Sequence, residues 1–111
     1  MVIDANMHPH FIKEICDDDK RVSFRKEKTG ILKPRIMPIK FLIERMGFAG
    51  IDKGIFHAMD LTTIEGDTIV SNEEIRKLID LAPDNFYGMG SVDPNREDAV
   101  DIVKECFENL K

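Results

Sequence analysis

The chain has 111 residues, with 16 Lys and Arg against 21 Asp and Glu and three His counted as neutral, a net charge of −5. That length gives one domain and is too short for two independent cores, while 42% hydrophobic and 33% charged residues are the balance of a globular chain rather than a disordered one. No apolar run approaches the roughly 20 residues of a membrane span, and the overall acidity argues against nucleic acid as the main partner. An acid, Asp4, stands where a secretory leader would carry basic residues, so the expected location is the cytoplasm. Cys16 and Cys106 form no spaced framework and read as two reduced thiols.

Short apolar runs alternate with amphipathic helical patterns. Val2-Ile3-Asp4-Ala5-Asn6 reads as a first strand. Residues 11–37 read as a long irregular loop, with Asp17, Asp18 and Asp19 followed by a basic stretch. From Lys20 to Lys40 there are eight Lys and Arg against one acid, Glu27. Such a stretch is either a solvated surface excursion or a loop that raises the local concentration of an anionic substrate. Ile39, Leu42, Ile43 and Met46 then follow Pro38 at helical spacing and place one apolar face. Gly47 and Gly50 are expected to end that helix.

A second strand is expected over about Lys53 to Met59, then a polar loop from Asp60 to Val70. Ser71 and Glu74 have the spacing of a capping box, in which each side chain satisfies the other residue's free backbone N–H. Ile75, Leu78, Ile79 and Ala82 form the buried stripe of the helix that follows, and Pro83 stops it. Phe86 to Val92 reads as a third strand. Asp93-Pro94 opens a third helix, whose stripe is Ala99, Ile102, Val103, Cys106, Phe107 and Leu110. On that stripe Cys106 reads as a small buried hydrophobe. Repeated βα units of this kind give a parallel sheet with helices packed on it. Three strands leave two open edges.

In parallel α/β folds chemistry gathers at the carboxyl ends of strands. That rule selects Asn6 to His10, His57 to Asp60, and Ser91 to Asp93. If the first strand continues, strict alternation puts Asn6, His8 and His10 on the side of Asp4. Two imidazoles at i and i+2 can hold one metal ion, although a polar strand end gives the same pattern. His57 could contact substrate or act as a general acid or base, with Asp60 three residues on; a hydrogen-bonded structural histidine is the alternative. Asp93 reads as a helix cap or turn residue, and Ser91 has no base beside it. A catalytic zinc site takes about three protein ligands and an open position, and this chain holds three histidines in all.

Ile3-Asp4-Ala5-Asn6-Met7-His8 resembles the Ile-Asp-x-His-x-His opening of the amidohydrolase-related (amidohydrolase 2) group of metal-dependent barrel enzymes. Gly50-Ile51-Asp52-Lys53-Gly54 is similar to that group's entry into strand two. Ser71-Asn72-Glu73-Glu74 through Phe86 to Pro94 resembles its helix two, strand three and Val-Asp-Pro turn. The resemblance implies an α/β fold comprising the first three strands of a (β/α)₈ TIM barrel, an incomplete barrel in these residues, since such a barrel takes roughly 250. It implies a divalent metal, zinc among the candidates, held by His8 with Asn6 on the other family position, or by His8 with His10. Asn6 replaces a histidine and offers a neutral oxygen better suited to hard cations, so metal binding is expected to be weak or lost. The implied chemistry is hydrolysis, decarboxylation or hydration of a carboxylated small molecule, with further metal ligands on later strands; His57 and Asp60 stay the candidate catalytic residues on their strand-end position alone.

Residues 1–111 are thus expected to be a single α/β unit, the N-terminal part of a barrel enzyme and inactive alone. A contrasting expectation is a small α/β binding module that self-associates through its open sheet edges, a homo-oligomer without catalysis. Nucleic-acid binding through residues 20–40 rests on local charge alone.

Overall fold

A computed structural model describes residues 1–108. In chain order its elements are β1 (Ile3–Met7), a 3₁₀ turn (Lys13–Ile15), α1 (Asp19–Thr29), α2 (Ile39–Ala49), β2 (Lys53–His57), β3 (Met59–Asp60), α3 (Thr62–Glu65), β4 (Thr68–Val70), α4 (Asn72–Leu81), β5 (Phe86–Met89) and α5 (Ala99–Glu108). β1, β2 and β5 form one parallel sheet in that order, as the alternation of strand and helix predicts. β3 and β4 form a separate antiparallel pair. No described helix is long and apolar enough to cross a membrane.

Residues opposite one another in a parallel ladder share a face, and the two faces of this sheet differ sharply. Gly54 pairs with Phe86 and Phe56 with Gly88, and the Phe56 and Phe86 rings stack with centroids 4.3 Å apart. This face is covered by Ile39 and Met46 of α2, Ile75 and Leu78 of α4, and Ile12 and Ile15 around the 3₁₀ turn. At Gly88 the sheet and α4 approach closely: a Cβ there would lie 2.6 Å from Ile75 Cγ2. On the other face Ile55 pairs with Tyr87 and His57 with Met89, and Tyr87 and Met89 remain 51% and 52% exposed. One face is a core. The other is open.

Several boundaries differ from the sequence reading. Pro38 is the residue before α2, and Gly50, with φ 74°, closes it, while Gly47 lies inside the helix. A left-handed cap is needed only at the last position, which Gly50 takes at no steric cost. β5 ends at Met89 rather than Val92, and residues 94–98 form turns and a bend, so α5 starts at Ala99 and not at Asp93-Pro94. Asp93 is the turn residue, its Oδ1 accepting from Asn95 N–H at 3.0 Å. On α5, Val103 and Phe107 are exposed, so the expected stripe is only partly buried; Leu110 lies outside the described residues. The polar loop 60–70 contains α3 and β4, and Ile69 and Val70 enter the core.

The largest difference is α1, which occupies the middle of the segment read as an irregular loop. Asp18 caps it by accepting from Lys20 N–H at 2.9 Å, and Gly30 at φ 72° ends it. Asp19 in the first turn and Lys26 and Lys28 in the last complement the helix dipole. Its inward residues are Val22 and Arg25, and Arg25 is fully buried. The guanidinium donates to the carbonyls of Ile69 and Ile15, both at 2.7 Å, and forms an ion pair with Glu74. Glu74 also completes the expected capping box with Ser71 and accepts from Arg21 at 2.9 Å. Burial alone would raise the Glu74 pKa, but the Ser71 N–H and the two guanidiniums outweigh it and hold the carboxyl below its usual range. One carboxylate therefore starts α4 and fastens α1 to it.

Candidate active-site end of the sheet

The register of β1 on β2 slips at the point where the metal-ligand pattern begins. Asp4 lies opposite Gly54, but Met7 lies opposite Phe56, so three steps along β1 match two along β2. This irregularity reverses the expected alternation. Met7 turns to the covered face, against the core, and His8 turns to the open face beside His57, with ring centroids 5.8 Å apart. Strict alternation would have kept Asp4, Asn6 and His8 on one side. The slip instead brings together two histidines that are 49 positions apart in the sequence.

His10 stands 5.5 Å from His8, centroid to centroid. Its Nε2 is buried without a hydrogen-bond partner among the described residues. Burial first, then the proximity of His8 and Arg25, lowers its pKa to about 4, so the ring is neutral near pH 7. The Nε2 of His57 lies 2.7 Å from the Ala5 carbonyl oxygen. A carbonyl only accepts, so Nε2 carries the proton and Nδ1 keeps the lone pair of the neutral ring. The three sequence-predicted histidines therefore converge, at the carboxyl ends of β1 and β2.

A cavity of about 410 Å³ opens beside His8, between the end of β1 and the start of α2; His10 and His57 are not part of its lining. Asp4, Asn6 and His8 supply its polar wall, and Phe11, Leu42 and Phe56 part of its apolar wall. Arg35 and Arg45 complete it. Sequence reasoning missed both as site residues; the positive balance of residues 20–40 was the available signal for Arg35, and none pointed to Arg45.

Asp60 is placed differently. Its Oδ1 accepts from Thr62 N–H at 3.2 Å and from the Thr62 hydroxyl at 2.5 Å; its Oδ2 accepts from Asp93 N–H at 2.9 Å and from Arg96 at 3.2 Å. Burial acts to raise its pKa, but these donors prevail and hold it low. Asp93 Oδ2 in turn accepts from Thr63 N–H at 2.8 Å and from the Thr63 hydroxyl. These bonds fasten the β3–α3–β4 excursion over the ends of β2 and β5. Ser91 Oγ accepts from Asp60 N–H at 3.2 Å, an anchoring contact with no base in it.

Among the described residues no group of three or more His, Cys, Asp or Glu side chains is arranged to hold a metal ion. His8 and His10 come nearest, and two imidazoles fall short of the three protein ligands of a catalytic zinc site. The described residues by themselves do not fit a divalent metal.

The fold, a parallel sheet with helices packed on it, has counterparts among solved structures. An uncharacterized TIM-barrel protein of Bordetella bronchiseptica superimposes with a TM-score of 0.61 at 20% identity, over 96% of this chain and 40% of its own. The 4-oxalomesaconate hydratase of Rhodopseudomonas palustris does so with a TM-score of 0.62 at 20% identity, over 99% of this chain and 40% of its own. The fold is that of a partial TIM barrel. The chain spans about 40% of the length of each of these proteins. No protein-family model and no curated protein matches the sequence.

Proposed function

We propose that the chain is part of a TIM-barrel enzyme of the amidohydrolase-related type, acting on a small carboxylated molecule by hydrolysis, decarboxylation or hydration. The observation that carries this reading is the meeting of His8 and His57 at the carboxyl ends of two adjacent parallel strands, with His8 also lining an open cavity. That is the end of the sheet where barrel enzymes place their chemistry. The fold likeness to a 4-oxalomesaconate hydratase favours water addition within this range of reactions. His57, with Nδ1 free, is the candidate acid or base. Asp60 takes an anchoring role in this proposal, because both of its oxygens are already engaged.

A divalent metal, zinc among the candidates, belongs to the proposal only with donors from outside the described residues, and no step here is routed through it. His8, with His10 or Asn6, would be this chain's share of such a site. Elemental analysis of the dialysed chain is expected to find less than one zinc per chain. The coding sequence beyond Lys111 tests the reading as a whole. Further βα units, with metal-ligating side chains at their strand ends, are expected there; a stop codon directly after Lys111 overturns it.

A second reading, self-association as a cytoplasmic homo-oligomer, is favoured by a specific quantity. The accessible surface is 7110 Å², against roughly 6,200 Å² for a monomeric protein of this mass. That excess, roughly 900 Å², is close to what one partner contributes to a standard interface. Light scattering at micromolar concentration decides: a dimer or larger species supports this reading, and a stable monomer removes it.

A further inference from the structure

We propose that Arg35 and Arg45 form the recognition wall for a small organic carboxylate in the cavity at the end of β1, an inference that rests on the functional reading above and assigns its binding residues. Both arginines line that cavity, one from the segment leading into α2 and the other from the second turn of α2. They are set apart from the other arginines of the fold. Arg21 and Arg25 are paired with Glu74, and Arg96 with Asp60 and Asp98. Arg35 and Arg45 have no ion-pair or hydrogen-bond partner among the described residues. The acid on the same wall, Asp4, has its Oδ1 engaged by the Asn6 N–H at 3.0 Å.

Two unpaired guanidiniums facing one cavity suit a planar anion, since each presents a fork of N–H donors that matches a carboxylate or a phosphate. The rest of the lining separates these two. Met7, Phe11, Leu42 and Phe56 give the cavity an apolar side, which an inorganic anion cannot use and a carbon skeleton can. About 410 Å³ is within the range that holds a small organic molecule. The occupant is therefore an organic acid, its carboxylate on the arginines and its hydrocarbon part toward Phe11 and Phe56.

Titration of the full 111-residue chain with benzoate, followed by NMR, tests this. Saturable shifts of the Arg35 and Arg45 Nε–H signals and of the Phe11 ring are expected. An R35Q/R45Q double variant is expected to bind benzoate at least tenfold more weakly, and benzyl alcohol, which has the same ring without the charge, to bind as weakly to the unaltered chain. Both arginines are exposed and unpaired, so an unchanged amide spectrum should confirm that the variant is folded. No benzoate binding, equal binding by the double variant, or inorganic phosphate binding as tightly as benzoate would each overturn the proposal. The measurement reads this chain whatever the coding sequence holds beyond Lys111, so failure here is distinct from failure of the barrel-enzyme reading.

Discussion

His57 at the end of β2 donates its Nε2–H to the carbonyl of Ala5 on β1 at 2.7 Å, joining the two strand ends beside His8. The bond fixes the tautomer, because the acceptor has no proton to give. Long-range ¹⁵N NMR should show Nε2 protonated and Nδ1 bare in the neutral ring. The opposite tautomer would remove His57 Nδ1 as the free acid–base position. Truncation by His57→Ala removes one hydrogen bond and should cost about 1 kcal/mol of stability.

His10 carries a pH signature of its own. Its folded pKa is lowered to about 4 from an ordinary value of 6.5. Below pH 6.5 the unfolded chain takes up a proton that the folded chain refuses. Stability is therefore full above about pH 6.5 and is lost as the pH falls towards 4, by at most about 3 kcal/mol. Urea denaturation from pH 7.5 to 4.5 should show this fall in the native protein, and His10→Phe should flatten it. A ring titration of His10 with a midpoint near 6.5 would contradict the prediction.

The Arg25–Glu74 pair should be the most sensitive polar contact in the chain. Arg25→Met leaves Glu74 half-buried with one partner fewer, and Glu74→Gln leaves a fully buried guanidinium uncompensated. Breaking one side of such a pair costs about 3–5 kcal/mol. Glu74→Gln should be the worse of the two, since the Arg25 charge is fully buried, whereas in Arg25→Met the Glu74 carboxylate keeps Arg21 as a partner. Because the Glu74 pKa is held below the usual carboxylate range, its contribution is present above that range and lost as pH falls through the lowered value. Chemical denaturation of both variants, with their unfolding free energies compared, checks the order.

Glycine replacement separates two kinds of constraint. Gly88→Ala places a methyl against Ile75 and Ile79 of α4, and Ile75 is β-branched and buried, so it cannot swing away. The expected cost is about 1–3 kcal/mol from overpacking. Gly50→Ala meets no atom within 4 Å, yet its φ of 74° is unfavourable for a side chain; about 1 kcal/mol is expected from backbone conformation alone. Thermal unfolding of both variants should rank them in that order.

Much of the fold was legible because it rests on local rules. Ser71 and Glu74 announce the start of α4, Gly50 the end of α2, and the spacing of Ile39, Leu42, Ile43 and Met46 the face that α2 presents. α1 was not legible because its inward side is built around Arg25. An arginine reads as surface charge unless the chain supplies a carboxylate to meet it, and that carboxylate, Glu74, lies 49 positions away.

The candidate site divides in the same way. Residue type and position relative to a strand are local facts, so His8, His10 and His57 at predicted strand ends were legible as residues able to do chemistry. How they meet is a matter of long-range packing. The register slip between Asp4 and Met7 turns His8 toward His57, since inserting one residue in a ladder of period two exchanges the faces. Arg35 and Arg45 reach the cavity lined by His8 only because α2 lies beside β1. Register and helix placement are set by contacts between segments distant in the chain, and composition or periodicity within one segment carries no record of them.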